Sequence, residues 1–454
     1  MTQFIKWLHA TPEEVRVEKR QCLDEGRDIA PLADAFERLA NREAEWTPDY
    51  QAEVDELLDR SIALPIEEAQ AGKEPSDLEG IRALRPDGPR AMEPAGGEND
   101  TALLDRLHGA WLGRCAGCLL GKPVEGWYYD RLKTVLEDTG QWPLAYYIDV
   151  SGVTEDTLAK VDLKPEGLKR PFLGRFDGMP EDDDTNYTVT ALAIFDKYGP
   201  GFAPDDVGRF WLDNIPLTHT CTAERVAYRN LVDLVTPPVT ATRRNPAREW
   251  IGAQIRADFW GYVAAGRPER AAEYAWRDAA LSHVKNGIYG EMFMAACIAA
   301  ARVLDCPEAI VRAGLSEIPA ECRLAEDVQQ VLAWHSAETP WEAMVEKIHA
   351  RWDETFSHHW CHTNSNAMIC VAALVTSGDD FAKAICRAVQ PAFDTDCNGA
   401  TVGSIVGMML GAKRLPATWI DPLNDRLDTG VAGYHRVSIE GMAEKTLELT
   451  KRES

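Results

Sequence analysis

Long apolar stretches are missing from this sequence of 454 residues. A membrane-spanning helix needs about 20 consecutive apolar residues, and no run here approaches that length. The first residues also lack a basic segment followed by an apolar one, which is the pattern of a secretory leader. We therefore expect a water-soluble globular protein in the cytoplasm, with no membrane partner.

Positive charge is scarce, since 48 lysine and arginine residues face 73 aspartate and glutamate residues and the formal net charge is −25. Such a surface repels a phosphate backbone, so we do not expect nucleic acid as a partner. It repels anionic small molecules too, so a phosphate-bearing substrate needs bound cations or a locally positive pocket. The charge balance points toward metal ions.

Regular cysteine spacing is absent as well. The 11 cysteines are an odd number and are scattered from Cys22 to Cys397, unlike the framework of a secreted disulfide-rich protein. Cys115 and Cys118 have the C-x-x-C spacing of redox and zinc sites. No second C-x-x-C exists, and this pair lies in a glycine-spaced helix, so we favour reduced thiols.

Alternation of β-branched residues is scarce, whereas helix signals are frequent. Thr11-Pro12-Glu13-Glu14 and Thr339-Pro340-Trp341-Glu342 each combine a capping hydroxyl, an early proline and a glutamate, which predicts a helix start with a capping box. The apolar segments 291–304 and 366–375 are typical of core helices. We predict an all-α fold.

The chain divides near residue 98. Residues 1–98 form a predicted N-terminal helical extension and linker, in which 69–100 is rich in proline, glycine and charge and is typical of a linker or extended strap. The extension could cover the main domain, mediate oligomerisation or act as a lid. Residues 99–454 form the predicted catalytic domain, in which 146–180 lacks helical periodicity and is predicted to be a long loop.

The first candidate site is a run of adjacent carboxylates. Glu181, Asp182, Asp183, Asp184 and Thr185 stand directly before an apolar helical run. Carboxylates this close repel one another unless a cation or a helix N-terminus compensates, and their oxygens suit a hard ion such as Mg²⁺ or Mn²⁺. The alternative is a solvated acidic helix start.

A second acidic helix start strengthens the metal interpretation. Asp394 and Asp396 also precede a predicted helix, and convergence of the two starts would supply four or five oxygen ligands for one or two hard ions. Glycines recur every fourth residue at 109–121 and again at 399–411. Because glycine destabilises a helix by roughly 1 kcal/mol, two such series favour close backbone packing that holds the acidic turns rigidly.

Three segments together resemble a known family. GAWLGRCAGCLLGKPVEGW (109–127), DDDT (182–185) and DTDCNGATVGSIVGMMLG (394–411) resemble the three signature segments of the ADP-ribosylglycohydrolase family, in that order. The resemblance covers roughly residues 100–425. It implies an all-α hydrolase with two Mg²⁺ or Mn²⁺ ions at the bottom of a cleft.

The resemblance also implies roles for individual residues. The acidic run matches the family's T-D-D-T motif and the second acidic pair matches its D-T-D-T motif, while Glu125 matches an acidic residue near the metals. Expected catalytic residues are Glu125, Asp182 and Asp184, and expected metal ligands are Asp182, Asp183, Asp184, Asp394, Asp396 and Cys397.

Three departures from the family pattern stand out. Cys397 replaces a threonine, which exchanges a hard hydroxyl for a soft thiol that suits Mg²⁺ poorly. Asp182 replaces another threonine and adds a negative charge. Ala392-Phe393 stands where the family often has two glycines, and Phe393 either packs in the core or stacks on a base.

The segment 358–366 contains His358, His359, Cys361 and His362 just before an apolar helix. It could be a transition-metal site, or Thr363 or Asn364 could cap the helix while His362 lines a pocket. The segment 286–291 opens another helix, on which a phosphate could rest. The expected substrate-binding residues are His362, Asn364, Tyr289 and Phe393.

The expected function is metal-dependent hydrolysis of a glycosidic bond to ribose, through an oxocarbenium-like state. The expected partner is ADP-ribose on a modified acceptor, and small ribosides such as nucleosides are the alternative substrate class. A non-catalytic binding or structural role is a further alternative, because a protein can keep its fold after its catalytic activity has been lost.

Overall fold

Helices account for nearly all the regular structure of the protein, seen in a computed structural model that describes residues 7–42, 46–68, 70–94, 97 and 99–453. One sheet is found within those residues, an antiparallel pair of two-residue strands, Leu427–Asp428 (β1) and Arg436–Val437 (β2). The all-α prediction is confirmed. Across the described part of the chain, no helix combines the length and apolarity needed to cross a bilayer.

The helices, in chain order, are α1 (Pro12–Asp24), α2 (Ala33–Ala40), α3 (Pro48–Ser61), α4 (Leu78–Leu84), α5 (Asp100–Gly121), α6 (Tyr129–Asp138), α7 (Glu155–Lys160), α8 (Asp183–Tyr198), α9 (Pro204–Asn214), α10 (Thr222–Val232), α11 (Val239–Thr242), α12 (Asp258–Val263), α13 (Pro268–Ala279), α14 (Lys285–Ala301), α15 (Pro307–Leu315), α16 (Arg323–Ser336), α17 (Trp341–Arg351), α18 (Ser357–Trp360), α19 (Thr363–Ser377), α20 (Phe381–Val389), α21 (Thr395–Leu410), α22 (Ala417–Ile420) and α23 (Ile439–Glu453).

The first three helices surround a small apolar cluster of their own, built around Phe36, Tyr50 and Val54. At the start of α1 the Thr11 side chain accepts from the Glu14 N–H while the Glu14 side chain accepts from the Thr11 N–H. The capping box predicted there is confirmed. These helices are therefore stabilised locally as well as by the larger domain they contact.

The extension is fastened to the main domain by buried charge. Arg248, which is 1% exposed, donates to Glu18 and to Glu25 of the extension at 2.6 Å each. The segment predicted as a linker or strap lies against the main domain and contains α4. There Glu74 accepts from Arg323, and the Met92 N–H donates to the Gly266 carbonyl at 2.7 Å.

The two glycine series face each other across α5 and α21. A Cβ atom built on Gly113 would lie 2.1 Å from the Gly403 carbonyl oxygen, and one on Gly117 would lie 1.9 Å from that of Gly399. Real side chains do not approach this closely, so only glycine permits the backbone contact. The close packing predicted from the glycine spacing is confirmed, and it aligns the C-terminal end of α5 with the N-terminal end of α21.

The structure differs from two local predictions. The helix predicted at Thr339 begins at Trp341, its capping position is Pro340, and no side chain caps it. The predicted capping box is wrong because the Thr339 N–H instead donates to the Trp334 carbonyl, which closes the turn after α16. The predicted loop 146–180 contains the short helix α7 and a 3₁₀ turn at Pro165–Lys169, and is otherwise irregular.

Candidate metal centre

The two acidic helix starts converge, because each is held against α5. The Thr395 hydroxyl at the start of α21 donates to the Gly121 carbonyl at the end of α5, at 2.9 Å. From the middle of α5, Arg114 donates to the Asp184 carbonyl at 2.8 Å and so fixes the start of α8. The turn directly after α5, Lys122–Val124, ends at Glu125.

Possible ligand atoms gather there in three overlapping groups. Asp184, Asp396 and Cys397 each place one such atom within 4.8 Å of the others, and so do Glu125, Asp394 and Asp396. Cys118 forms the third group with Asp182 and Asp184. Asp183 is half-buried at the first position of α8, beside Asp182. All the expected metal ligands thus lie in one region, called here the acidic cluster.

Two cations lie within the acidic cluster. The Lys122 ammonium is 2.6 Å from Asp182 Oδ2, and the other Asp182 oxygen accepts from the Asp184 N–H at 2.9 Å. The Arg114 guanidinium, fully buried, is shared between Asp184 at 3.3 Å and Asp258 at 2.7 Å. Asp182 therefore has both its oxygens occupied, as helix cap and as partner of Lys122.

Four carboxylates of the acidic cluster remain without a paired cation among the ion pairs of the described residues: Glu125, Asp183, Asp394 and Asp396. The Oδ1 atom of Asp396 is buried and has no hydrogen-bond partner in that part of the chain. Asp394 and Asp396 are buried, where an unpaired carboxylate is unfavourable, and when ionised the four carboxylates match the charge of two divalent cations. The carboxylate donors fit the Mg²⁺ or Mn²⁺ ions that the resemblance implies, whereas the Cys397 thiol among them suits Mg²⁺ poorly.

The pKa values follow from this crowding. Burial, together with the neighbouring charges of Asp394 and Asp182, raises the pKa of Glu125 to about 7. Burial also raises the pKa of Asp394 to about 6 and holds that of Asp396 well above its usual value. For Asp182, burial opposes ionisation, but Lys122 lowers the pKa below its usual value.

Four histidines whose pKa values burial lowers should make the metal-free protein more stable as pH rises from about 5 to about 7.5: His283, His349, His359 and His362. We expect Glu125 and Asp394 to act in the opposite direction over the same range. In the folded state Glu125 and Asp394 keep protons that the unfolded chain has already released, so these two groups bind protons on folding and their contribution to the free energy of unfolding falls with rising pH. Thermal unfolding in EDTA across this range measures the effect.

The matched control is Glu125→Gln, which removes one titrating carboxyl group and leaves the histidines in place, so its melting temperature should rise relative to that of the wild type over the same window. Added Mn²⁺ should raise the wild-type melting temperature more at the higher pH, where the ligands are ionised. A wild-type melting temperature in EDTA with the same pH dependence as that of Glu125→Gln would contradict this electrostatic account.

Three thiols also lie at the acidic cluster. Cys397 Sγ donates to Asp184 Oδ2 at 3.2 Å, and Cys361 Sγ lies 3.9 Å from Asp394 Oδ2. Cys118 is the third, next to Asp182 and Asp184. Cys115 and Cys118 are both free and buried, so the C-x-x-C spacing forms no disulfide here.

Two of the expected substrate-binding residues, His362 and Asn364, do not lie at the acidic cluster. They line a cavity of about 150 Å³ between the N-terminal extension and the main domain. Arg20 and Asp24 of α1 line this cavity, and no residue of the acidic cluster does. His362 itself caps α19, because its Nδ1 accepts from the Asn364 N–H at 3.1 Å. The alternative that Thr363 or Asn364 caps this helix is therefore wrong.

The alternative of a transition-metal site made of three histidines and a thiol, His358, His359, His362 and Cys361, is not formed as such. His358 and His362 instead lie with Asp24, and each of these three residues places one possible ligand atom within 4.8 Å of the others. The Trp250 indole N–H donates to His358 Nδ1 at 3.0 Å, so the other nitrogen carries a proton and donates to Asp24. His362 is fixed in the same tautomer by its cap hydrogen bond. Within the described part of the chain, Cys361 shares no group of converging ligand atoms with these histidines, and its Sγ lies 3.9 Å from Asp394 Oδ2.

The two remaining substrate-binding candidates lie in packed surroundings. The Tyr289 hydroxyl donates to the Pro75 carbonyl of the strap at 2.5 Å. At the start of α14, where a phosphate was expected, the Asn286 N–H already donates to the Glu249 carboxylate. Phe393 is fully buried with its ring 5.0 Å from His349, which is the core-packing alternative.

The backbone around Phe393 keeps the conformation that two glycines would favour. Ala392 and Phe393 have φ values of 63° and 58°, the left-handed region that favours glycine. Two consecutive side-chain-bearing residues in this region store strain directly before Asp394. The tight turn is kept here without its usual residues.

Lys122, Arg114, Cys118 and Cys361 were not expected at the site. Arg114 could have been identified from the sequence, since a charged residue in an apolar, glycine-spaced helix must be buried and therefore paired with an opposite charge. Lys122 stands three residues before Glu125, but its ion pair with Asp182 depends on how α5 and α8 pack. Nothing in the sequence relates the two cysteines to the carboxylates.

Comparison with known proteins gives the following. A family model described as ADP-ribosylglycohydrolase matches residues 99–454. No curated protein matches the sequence. A solved structure named "ADP-ribosylglycohydrolase-related protein complex" is similar with a TM-score of 0.48 and 17% identity, over 78% of this chain and 100% of that chain.

Proposed function

Because this chain belongs to the ADP-ribosylglycohydrolase family over residues 99–454, we propose that it is a metal-dependent hydrolase that removes ADP-ribose from a modified acceptor. The family predicted from the three sequence segments is confirmed, and it supports a glycohydrolase. The metal requirement and the substrate are the parts proposed here.

One observation carries the metal requirement: the acidic cluster holds four carboxylates that no cation of the described residues neutralises, and one buried oxygen, Asp396 Oδ1, has no partner. Asp184, Asp394 and Asp396, which belong to groups of converging ligand atoms, would hold the ions, with Asp183 directly before Asp184 in the chain. When bound, the ions supply Lewis-acid polarisation and orient the ribose hydroxyls and a water molecule.

Glu125 is the residue best suited to move the proton. It is partly exposed at the edge of the acidic cluster, within 4.8 Å of Asp394 and Asp396, and its pKa is raised to about 7. A carboxylate with such a pKa can accept a proton from the attacking water and return one to the leaving group near neutral pH. Asp182, the other candidate, is committed to Lys122 and to the α8 cap.

The substrate proposal is supported by one cation at the rim. Arg170 is exposed and donates to the Glu125 carbonyl at 2.6 Å, so its positive charge lies beside the proposed proton-transfer group. A pyrophosphate could face it there. Small ribosides are the second candidate, favoured by the fact that Lys122 and Arg114 are already paired with carboxylates.

A substrate panel separates the two candidates. The protein in Mn²⁺ should release ADP-ribose from peptides ADP-ribosylated on arginine or serine faster than it hydrolyses nucleosides, because only the former present a pyrophosphate to Arg170. Release of free ribose from nucleosides alone would support the small-riboside hydrolase. Inactivity on both, with metal bound, would overturn the proposed function.

We expect Glu125→Gln to lower kcat by at least about 100-fold, the usual contribution of a general acid or base. The amide keeps the shape of the side chain but cannot exchange the proton. Single-turnover hydrolysis with saturating Mn²⁺ measures the effect. The control is Glu181→Gln, an exposed neighbour of the acidic cluster that we expect to retain near wild-type activity. Equal rates for wild type and Glu125→Gln would remove Glu125 from the mechanism.

A further inference from the structure

The acidic cluster offers two positions for an ion, and they differ in chemistry. The inner position is formed by Asp184, Asp396 and Cys397, and the outer position by Glu125, Asp394 and Asp396. Asp396 belongs to both, and its unpartnered, buried Oδ1 makes it the shared ligand of the pair. One position contains sulfur and the other contains only oxygen.

The two positions also differ in burial. Asp184, Asp396 and Cys397 are 0%, 2% and 6% exposed, so the inner position is enclosed by protein. Glu125 reaches the surface, so the outer position opens toward solvent. An ion at the inner position is therefore bound almost entirely by protein atoms, whereas one at the outer position keeps room for water and substrate.

Ligand chemistry separates the metals that suit each position. Thiolates favour borderline transition ions such as Zn²⁺, Fe²⁺ and Co²⁺, whereas Mg²⁺ requires oxygen ligands and retains several waters. The inner position has the mixed sulfur and oxygen donors of the first class. The outer position has the carboxylates of the second.

We propose that the centre is mixed, with a Zn²⁺- or Fe²⁺-like ion bound by Cys397, Asp184 and Asp396, and Mg²⁺ or Mn²⁺ bound by Asp394 and Asp396, beside Glu125, whose carboxyl group stays free to exchange a proton. This inference rests on the proposed function, since it requires that the acidic cluster holds ions. On binding, the Cys397 S–H bond breaks, its proton leaves to solvent and a metal–sulfur bond forms, replacing the hydrogen bond to Asp184 without any change of oxidation state.

The other thiols are less well placed than Cys397. Cys118 lies near Asp182 and Asp184, but both Asp182 oxygens are already used by Lys122 and by the Asp184 N–H. Cys361 lies 3.9 Å from Asp394 and belongs to no group of converging ligand atoms found among the described residues. Cys397 contacts Asp184 directly and follows the shared Asp396.

Cobalt binding tests the proposal without any assay of activity. The full-length protein, stripped with a chelator, is titrated with Co²⁺ while the bound ions are counted and the near-ultraviolet absorption is recorded. We expect two bound ions, of which one produces a thiolate-to-cobalt charge-transfer band. Excess Mg²⁺ should displace the other ion and leave the band unchanged.

Cys397→Ser should abolish this band and weaken Zn²⁺ binding at the inner position by at least about 100-fold, the upper range for loss of a metal-supporting group. It should leave Mg²⁺ binding at the outer position unchanged. Cys115→Ser, a buried thiol on α5 outside the three ligand groups, is the control and should keep the band.

The possible failures are distinct. Two bound Co²⁺ ions without a thiolate band in the wild type would overturn the mixed centre and leave the proposed hydrolase intact. A band that survives in Cys397→Ser, or that is lost only in Cys118→Ser, would overturn the assignment to Cys397. Absence of any bound ion would contradict both this proposal and the metal requirement of the proposed function.

Discussion

The double variant Asp184→Asn, Asp396→Asn is expected to bind neither ion and to lose at least about 1,000-fold in kcat/KM, because a bound ion contributes roughly 4 kcal/mol or more of transition-state stabilisation at about 1.36 kcal/mol per tenfold. Asp184 and Asp396 each belong to one of the two acidic helix starts, and their carboxylates meet at the inner position. The measurements are metal content and hydrolysis of the ADP-ribosylated peptide.

Folding of this double variant should be retained, since asparagine has the same shape and the change removes charge from a crowded acidic cluster. The control is Asp205→Asn, Asp213→Asn, which makes the same change of charge at two exposed positions of α9 and should keep metal binding and activity. Wild-type turnover by the folded Asp184→Asn, Asp396→Asn variant would rule out metal-centred hydrolysis.

Gly117→Ala is expected to destabilise the protein by about 3 kcal/mol or more, the upper range for overpacking, although alanine is the better helix former by roughly 1 kcal/mol. The added Cβ would lie 1.9 Å from the Gly399 carbonyl oxygen and 2.4 Å from its carbon. Backbone atoms cannot move aside as a flexible side chain can, so α5 and α21 must separate. Urea unfolding of the metal-free protein measures the loss.

The same substitution should weaken metal binding, because α5 and α21 position Glu125 and Asp396 at their ends. Gly441→Ala in α23 is the matched control: its new Cβ would meet only Ser438 side-chain atoms, at 3.4 Å, which is ordinary contact. We expect little change in stability there. Equal, small effects of the two substitutions would show that the glycine series does not hold the helices together.

The parts of the fold that could be predicted from the sequence are those with a local physical signature. The glycine repeat of α5 and α21 predicts their close packing, because nothing else explains so many helix-weakening residues on one face. The acidic starts of α8 and α21 likewise predict that their carboxylates converge, as they do, whereas a bound cation stays a prediction. The Thr11 capping box is correct because all its partners lie within four residues.

The errors and omissions depend on long-range packing. The cap predicted at Thr339 fails because the preceding helix uses that residue to close its turn. His362 and Asn364 lie along a cavity completed by α1, more than 300 residues earlier in the chain. Their role in substrate binding stays a prediction, as do those of Tyr289 and Phe393 and the domain boundary at residue 98.

The measurement that tests the central claim most directly is anomalous diffraction from crystals of the full-length protein soaked in Mn²⁺. The account predicts anomalous density for ions between Asp184, Asp394 and Asp396, with Asp396 contacting two of them. Well-ordered carboxylates at these positions with no anomalous density, at Mn²⁺ concentrations that support hydrolysis, would contradict it.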